Sequence, residues 1–127
     1  MAIKHTYNAD GGVLITGTGV VTATEVFDRI DSLYATAEQV SQIRYLLIDF
    51  TAVSSWKMTP AEIVKTAQLD RNAVQINPAM IITIAANDER TYGLSRMWEA
   101  YLDSSPLQSR VFKTVADCEA WLASLSA

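Results

Sequence analysis

The sequence predicts an α/β fold with the element order β-β-α-β-α-β-α-β-α, in which a mostly parallel sheet has an antiparallel edge. Three observations predict this arrangement. Apolar runs of strand length alternate with segments of helical periodicity, three segments begin with the same helix-capping pattern, and Asp10-Gly11 separates two short strand patterns as a hairpin turn would. Because 127 residues fit one hydrophobic core, residues 1–127 are expected to form a single domain.

Strands are expected at residues 3–8, 13–16, 45–50, 80–86 and 109–113. The runs at 45–50 and 80–86 barely alternate between apolar and polar residues, which is typical of parallel strands covered on both faces. The first two strands are expected to pair as an N-terminal edge hairpin. The sequence therefore predicts an α/β sandwich whose sheet is covered by helices on both sides.

A shared pattern marks three helix starts, in which a threonine is followed three residues later by an acid: Thr22, Thr59 and Thr114. The hydroxyl can accept an unpaired backbone N–H, and the acid lies at the positive end of the helix dipole. Pro60 stands at a first helical position, where its missing N–H costs nothing. The first helix is expected to span about residues 22–37, and a helix without this start pattern, the third of four in chain order, is expected at residues 92–102.

Composition and charge exclude several classes of function. Fourteen acids and ten bases give a net charge of -4, and the bases form no cluster, so no nucleic acid partner is expected. No apolar run approaches the roughly 20 residues of a membrane span. The N-terminal segment lacks the pattern of a secretory signal, and the single cysteine, Cys118, cannot form an internal disulfide. These features predict a cytoplasmic protein.

The chemistry-bearing residues form no recognisable catalytic or cofactor site. Gly17-Thr18-Gly19 follows a strand, but Thr22 stands where a dinucleotide-binding turn has its third glycine, so these residues are interpreted as a simple turn. The single histidine, His5, and Cys118 lie on different predicted elements and offer no metal-ligand spacing. We therefore expect no cofactor, no metal and no enzymatic activity.

Two segments hold the candidate contacts for a ligand or a membrane. Residues 54–58 are expected to form a loop before a weakly apolar helix, and the last expected helix but one is rich in aromatic residues. The candidate contacts are Trp56, Met58, Tyr92, Arg96, Trp98 and Tyr101. The alternative interpretation is that the aromatic side chains form ordinary core. Asp70 interrupts the apolar stripe of the second helix, and it must find a polar partner or remain near water.

Nearly the whole chain resembles the STAS family, the fold of bacterial anti-sigma factor antagonists. It is most similar to the SpoIIAA-like group of small stand-alone proteins. The segments that carry the resemblance are GTGVVTATEVFDRIDSLY, RYLLIDFTAV, MTPAEI, NPAMIITIA, YGLSRMWEAYL and VFKTVADCEAWL. The SpoIIAA-like group in turn resembles the CRAL-TRIO lipid-binding domain, so the resemblance implies ligand binding or membrane association.

The resemblance also implies a position for regulatory phosphorylation. In regulatory STAS proteins, a strand ending in Asp-Leu-Ser is followed by Asp-Ser-Ser-Gly at a helix start, where a serine is phosphorylated. Asp49-Phe50-Thr51 matches the first part, whereas Lys57-Met58-Thr59-Pro60 replaces the second and keeps one hydroxyl. Thr59 and Thr51 are therefore the candidate phosphorylation sites, and Thr59 lies where a helix N-terminus favours a phosphate.

Three hypotheses follow for the function. The leading one is a non-enzymatic binding or regulatory module whose partner is a protein, a small apolar ligand or lipid, or a membrane surface. Exposed apolar surface near Trp56 would favour a peripheral membrane contact and a homodimer equally. The second hypothesis is a phosphorylation-controlled regulator of the anti-sigma-antagonist type. The third is an enzyme of unrecognised type, whose site would combine four polar residues: Asp49, Asp70, Tyr92 and Arg96.

Overall fold

Five strands form one sheet in chain order: β1 (Ile3–Tyr7), β2 (Gly12–Thr22), β3 (Tyr45–Lys57), β4 (Ile81–Ala85) and β5 (Gln108–Phe112). This computed structural model describes residues 2–103 and 105–125. β1 pairs with β2 antiparallel, and the remaining neighbours pair parallel. The α/β architecture and the antiparallel edge hairpin are thus confirmed. Gly11 has a φ of 88° in the hairpin turn, a conformation that glycine adopts without steric cost.

The described residues contain five helices where four were expected: α1 (Ala23–Leu33), α2 (Ala37–Gln42), α3 (Pro60–Ile76), α4 (Glu89–Ala100) and α5 (Val115–Leu125). The prediction of one helix over residues 22–37 is wrong at its end. Thr36 takes an extended conformation, and its side chain accepts the N–H of Gln39 at 3.1 Å, so it caps the separate helix α2. α4 also begins earlier than expected, because Asp88 caps it by accepting the N–H of Thr91 at 2.9 Å.

The two faces of the sheet carry unequal helical layers. α3 packs between α1 and α4. These helices cover the face that presents Leu46 and Ile84 of the main core and the half-buried Ile48 packed against it. α5 packs on β4 and β5, and its Cys118 lies with Leu47 and Ala85 in a second, smaller core. Because successive strand residues point to opposite faces, these two cores lie on opposite sides of the sheet. The prediction of helices on both faces is confirmed.

β2 and β3 are much longer than the sequence predicts. The expected turn at Gly17-Thr18-Gly19 and the expected loop at residues 54–58 are wrong, since β2 pairs with β3 as far as Thr22 and Lys57. Two register shifts, between Thr16 and Thr18 and between Gly19 and Val20, let the pairing continue across the glycines. A two-stranded ribbon therefore extends beyond the ends of β1 and β4 and leads directly into α1 and α3.

Two glycines offer a matched test of this ribbon, since a Cβ added at Gly19 or at Gly93 would meet no atom within 4 Å. Gly19 has a φ of 64°, so Gly19→Ala is expected to lower the free energy of unfolding by about 1–2 kcal/mol. Gly93 lies inside α4, and Gly93→Ala is expected to raise it by about 1 kcal/mol. Urea denaturation measures both changes. Equal effects at the two positions would contradict the left-handed conformation at Gly19.

Within residues 2–103 and 105–125, none of the helices combines the length and the apolar character that crossing a membrane requires.

Candidate functional site

An apolar cavity of about 100 Å³ lies between the sheet and the layer formed by α1, α3 and α4. It includes side chains from all three helices and from the central strands. The lining residues are Ile3, Ile15, Val26, Arg29, Ile30, Leu33, Tyr34, Leu46, Ile48, Phe50, Trp56, Met58, Ile63, Thr66, Asp70, Ile84, Leu94, Ser95 and Trp98. Aliphatic and aromatic side chains dominate this lining, and Arg29 and Asp70 are its charged groups.

Solvent reaches part of this lining. Val26 and Ile30 on α1, Thr66 on α3 and Met58 just before α3 are all half-buried, and all four line the cavity. We infer from these positions that the cavity opens between α1 and the first half of α3.

The buried end of the cavity is built around Asp70. This side chain is 6% exposed and stands on the buried face of α3. Its Oδ1 accepts the hydroxyl of Tyr34 at 2.9 Å, and its Oδ2 accepts the indole N–H of Trp98 at 2.8 Å. Asp70 therefore joins α1 and α4 through α3, and both of its carboxylate oxygens have a partner. This is how the acid in the apolar stripe of α3 is accommodated.

Burial controls the ionisation of this cluster. Loss of hydration raises the pKa of Asp70 from 3.8 to about 6, although the hydrogen bonds from Trp98 and Tyr34 favour the charged form. Burial and the neighbouring carboxylate raise the pKa of Tyr34 well above its ordinary value, so its hydroxyl remains a donor. The carboxyl group of Asp70 thus changes its charge near pH 6, next to an apolar cavity.

Three of the six candidate contacts line this cavity: Trp56, Met58 and Trp98. Residues 54–57 belong to β3 rather than to the expected loop, and Trp56 is 7% exposed. It lies in β3, its indole N–H donates to the Thr91 hydroxyl at 2.9 Å, and its ring makes an edge contact with Phe50. Met58 is half-buried and follows the end of β3.

The other three candidate contacts lie outside the lining. Tyr92 is half-buried, with the Lys113 ammonium 5.3 Å from its ring centroid. Arg96 is exposed and forms an ion pair with Glu99 at 3.2 Å. Tyr101 is 45% exposed. Of the three aromatic candidates in the α4 region, Tyr92, Trp98 and Tyr101, only Trp98 lines the cavity.

The candidate phosphorylation sites differ in exposure. Thr51 is half-buried, and both its N–H and its hydroxyl donate to Asp49 Oδ1, at 3.0 and 2.6 Å. Thr59 is exposed and caps α3, accepting the Glu62 N–H at 3.3 Å, while Glu62 Oε1 accepts the Thr59 N–H at 2.8 Å. This reciprocal pair confirms the predicted capping box. Phosphorylation at either threonine stays a prediction.

Of the four polar residues of the enzyme hypothesis, Tyr92 and Arg96 come together, since the Tyr92 hydroxyl and then Glu99 raise the pKa of Arg96, whereas Asp49 and Asp70 have other partners. Asp49 bonds to Thr51 and Asp70 to the two aromatic donors described above, whereas Arg96 pairs with Glu99. Within the described residues, no three His, Cys, Asp or Glu side chains lie close enough together to hold a metal ion.

A second, larger depression of about 400 Å³ lies on the α5 side of the sheet. It is mixed in polarity, and its polar groups bond to one another. Tyr45 donates to Asp10 Oδ2 at 2.9 Å and accepts from Asn8 at 3.3 Å. The Gly12 N–H and the Tyr45 hydroxyl lower the pKa of Asp10. Ligand pockets are lined mostly by apolar and aromatic side chains with few polar groups, so the cavity beneath α1, α3 and α4 is the stronger candidate site.

Sequence reasoning missed the contribution of α1 to this site. Val26 and Ile30 belong to an ordinary apolar stripe, and such a stripe gives no sign that the residues border a void. Arg29 belongs to no sequence motif either, and its hydrogen-bond partners, His5 and Ile3, lie on β1 and are distant in the sequence.

Neither the comparison with protein-family models nor the search of curated proteins finds a match to this chain.

Proposed function

We propose that this protein is a non-enzymatic binding module that holds a small apolar ligand in the cavity between the sheet and α1, α3 and α4. The observation that carries the proposal is the cavity itself, which is apolar over nearly all of its lining and is bordered on α1 and α3 by half-buried side chains. Well-packed cores contain few voids larger than a water molecule. A void of this size, bordered by half-buried side chains, is therefore better explained as a binding site than as a packing defect.

The volume of the cavity limits the size of its ligand. An apolar cavity of about 150 Å³ is known to stay dry and to bind benzene. The present cavity, at about 100 Å³, suits a short alkyl chain or a ligand that projects through the opening. Each buried methylene contributes about 0.8 kcal/mol to binding, so a ligand of this size would bind weakly unless a polar group also contributes.

The resemblance to the SpoIIAA-like group supports the same proposal. The five-stranded order with one antiparallel edge agrees with a SpoIIAA-like form of the STAS fold, which we propose for this chain together with a cytoplasmic location.

Regulation by phosphorylation at Thr59 is the second candidate function, favoured by the exposure of this residue at the start of α3. The Glu62 carboxylate beside it opposes that candidate, since it would repel a phosphate.

Filling the cavity tests the proposed function. Val26 lines the cavity from α1, and Val26→Phe is expected to occupy its volume and weaken the binding of pentan-1-ol by at least about tenfold. Val64 lies on α3 with 38% exposure and outside the lining, so Val64→Phe is the matched control and should bind as the wild type does. Titration calorimetry with pentan-1-ol measures both. Unchanged binding in a folded Val26→Phe protein would contradict the proposed site.

A further inference from the structure

Arg29 brings an unsatisfied donor to the wall of this cavity. Its Nη1 bonds to Nδ1 of His5 at 3.0 Å, and its Nη2 donates to the carbonyl of Ile3 at 3.4 Å. Its Nε is buried without a hydrogen-bond partner, the single side-chain nitrogen or oxygen in this condition among the described residues. A buried donor without an acceptor is costly, and native structures rarely leave one. Because this nitrogen is closed off from solvent, a ligand acceptor reaches it only when the half-buried Arg29 side chain turns toward the cavity, and such an acceptor would remove that cost.

Arg29, which is half-buried, also has no ion-pair partner among the described residues. The described residues place no carboxylate oxygen within 4.0 Å of its guanidinium. Glu25, one turn earlier on α1, directs its carboxylate elsewhere, accepting the Ala2 N–H at 3.0 Å and the Thr22 hydroxyl at 3.2 Å. His5 must accept from Arg29, because a guanidinium has only donors. Burial and the charge of Arg29 lower the pKa of His5, so it supplies no second cation.

The two charged groups of the lining therefore differ in whether their polar atoms have hydrogen-bond and ion-pair partners. Asp70 has a donor on each oxygen, whereas Arg29 lacks both an acceptor at Nε and a counter-ion. Building on the proposed function, we propose that the ligand is a small apolar monocarboxylate. Its carboxylate accepts the Nε–H of Arg29, and its alkyl chain lies along the apolar lining. Charge-assisted hydrogen bonds of this kind are among the strongest in proteins.

Pentanoate and pentan-1-ol form a matched pair of probes for this proposal, because they share a chain length and differ in the charged group. At pH 7.5, the wild type is expected to bind pentanoate more tightly than pentan-1-ol. Arg29→Met keeps the apolar stem of the side chain and is expected to weaken pentanoate binding by about ten- to a hundredfold, as loss of a hydrogen bond to a charged group implies. Its affinity for pentan-1-ol should be unchanged, which also shows that the cavity is intact.

Two further variants complete the experiment. Arg71→Met is the control, since Arg71 is half-buried on α3, bonds to the Tyr101 carbonyl and lies outside the lining. It should bind both probes as the wild type does. Arg29→Lys keeps the charge without the Nε–H, and it should lose pentanoate affinity while retaining pentan-1-ol. If Arg29→Met binds neither probe because its cavity has collapsed, Arg29→Lys still tests whether the Nε–H of Arg29 binds the carboxylate.

The outcomes separate this inference from the proposed function. If the wild type binds pentan-1-ol at least as tightly as pentanoate, or if Arg29→Lys and Arg29→Met leave pentanoate affinity unchanged, the carboxylate assignment is overturned while the apolar site stands. If the wild type binds neither probe, the proposed function itself fails. Selective loss of pentanoate in the Arg29 variants, with Arg71→Met unaffected, supports both.

Discussion

Replacing Trp98 with alanine is expected to lower the free energy of unfolding by about 3–5 kcal/mol, the range for truncating a large buried aromatic side chain. Trp98 is 5% exposed and lies in the main core. The replacement enlarges a cavity that already borders this residue, and it removes the donor that satisfies Asp70 Oδ2. Both effects act in the same direction. Urea denaturation followed by circular dichroism measures the loss.

Two variants separate the contributions to this effect. Trp98→Phe keeps most of the apolar contact and removes the indole N–H, so it is expected to cost about 1–3 kcal/mol for the unsatisfied carboxylate. Trp121→Ala is the matched control on the other side of the sheet. Trp121 is half-buried on α5, with a ring centroid 6.1 Å from that of Phe112, and its loss should cost less than that of Trp98. A Trp121 effect equal to the Trp98 effect would contradict the central role of the Asp70 cluster.

The stability of the wild type relative to Asp70→Asn is expected to fall by about 2 kcal/mol between pH 4 and pH 6. The pKa of Asp70 is about 6 in the folded protein, against an ordinary value of 3.8. The folded state therefore binds more protons than the unfolded state within this interval. Stability consequently decreases as the pH rises through it, and it becomes level once Asp70 is ionised in both states.

Asp70→Asn is a suitable reference because its amide does not titrate. The carbonyl oxygen can accept from Trp98, and the amide N–H can donate to the Tyr34 oxygen. Asp10 and Asp88, whose pKa values are lowered by hydrogen bonds from backbone N–H groups, lose stabilisation as the pH falls. Their effects are present in both proteins and cancel in the difference. Urea denaturation of the two proteins from pH 4 to pH 8 measures it, and a difference that stays flat across this range would contradict the burial of Asp70.

Local signals were sufficient to predict most elements of the fold. Capping pairs at Thr22 and Thr59 depend on residues three positions apart, and the structure forms both. The missed helix start at Thr36 uses the same geometry with Gln39 in place of an acid. It fell within a segment already interpreted as one continuous helix. The start of α2 was therefore missed because its capping pattern has Gln39 in place of an acid, whereas the stronger threonine–acid pattern at Thr22 and Thr59 was interpreted correctly.

Strand extension could not be predicted in the same way. Residues 51–57 and 17–22 are rich in Ser, Thr and Gly, which are typical of turns when each segment is considered alone. They become strands because they pair with each other and because bulges absorb the glycines. Such pairing joins residues more than thirty positions apart and has no local signature. It is also what buries Trp56, whose partner Thr91 stands on another element.

The two charged groups of the site were unequally predictable. Asp70 was conspicuous in the sequence, because an acid within an apolar stripe requires a buried partner. Its partners, Tyr34 and Trp98, lie 36 and 28 positions away and are identified only by the fold. Arg29 gave no signal, since a basic residue beside an apolar stripe is ordinary. Its importance to the proposal comes from its Nε–H, which the fold leaves without a hydrogen-bond acceptor.

The most direct test of the binding-module account is a methyl-detected NMR titration of the wild type with pentan-1-ol. Ile48 and Ile84 line the cavity, whereas Ile81 and Leu122 line the depression on the α5 side. The account predicts saturable shifts at the methyl groups of Ile48 and Ile84, with Ile81 and Leu122 unchanged. Shifts confined to Ile81 and Leu122, or the absence of saturable shifts at any of these four residues, would contradict it.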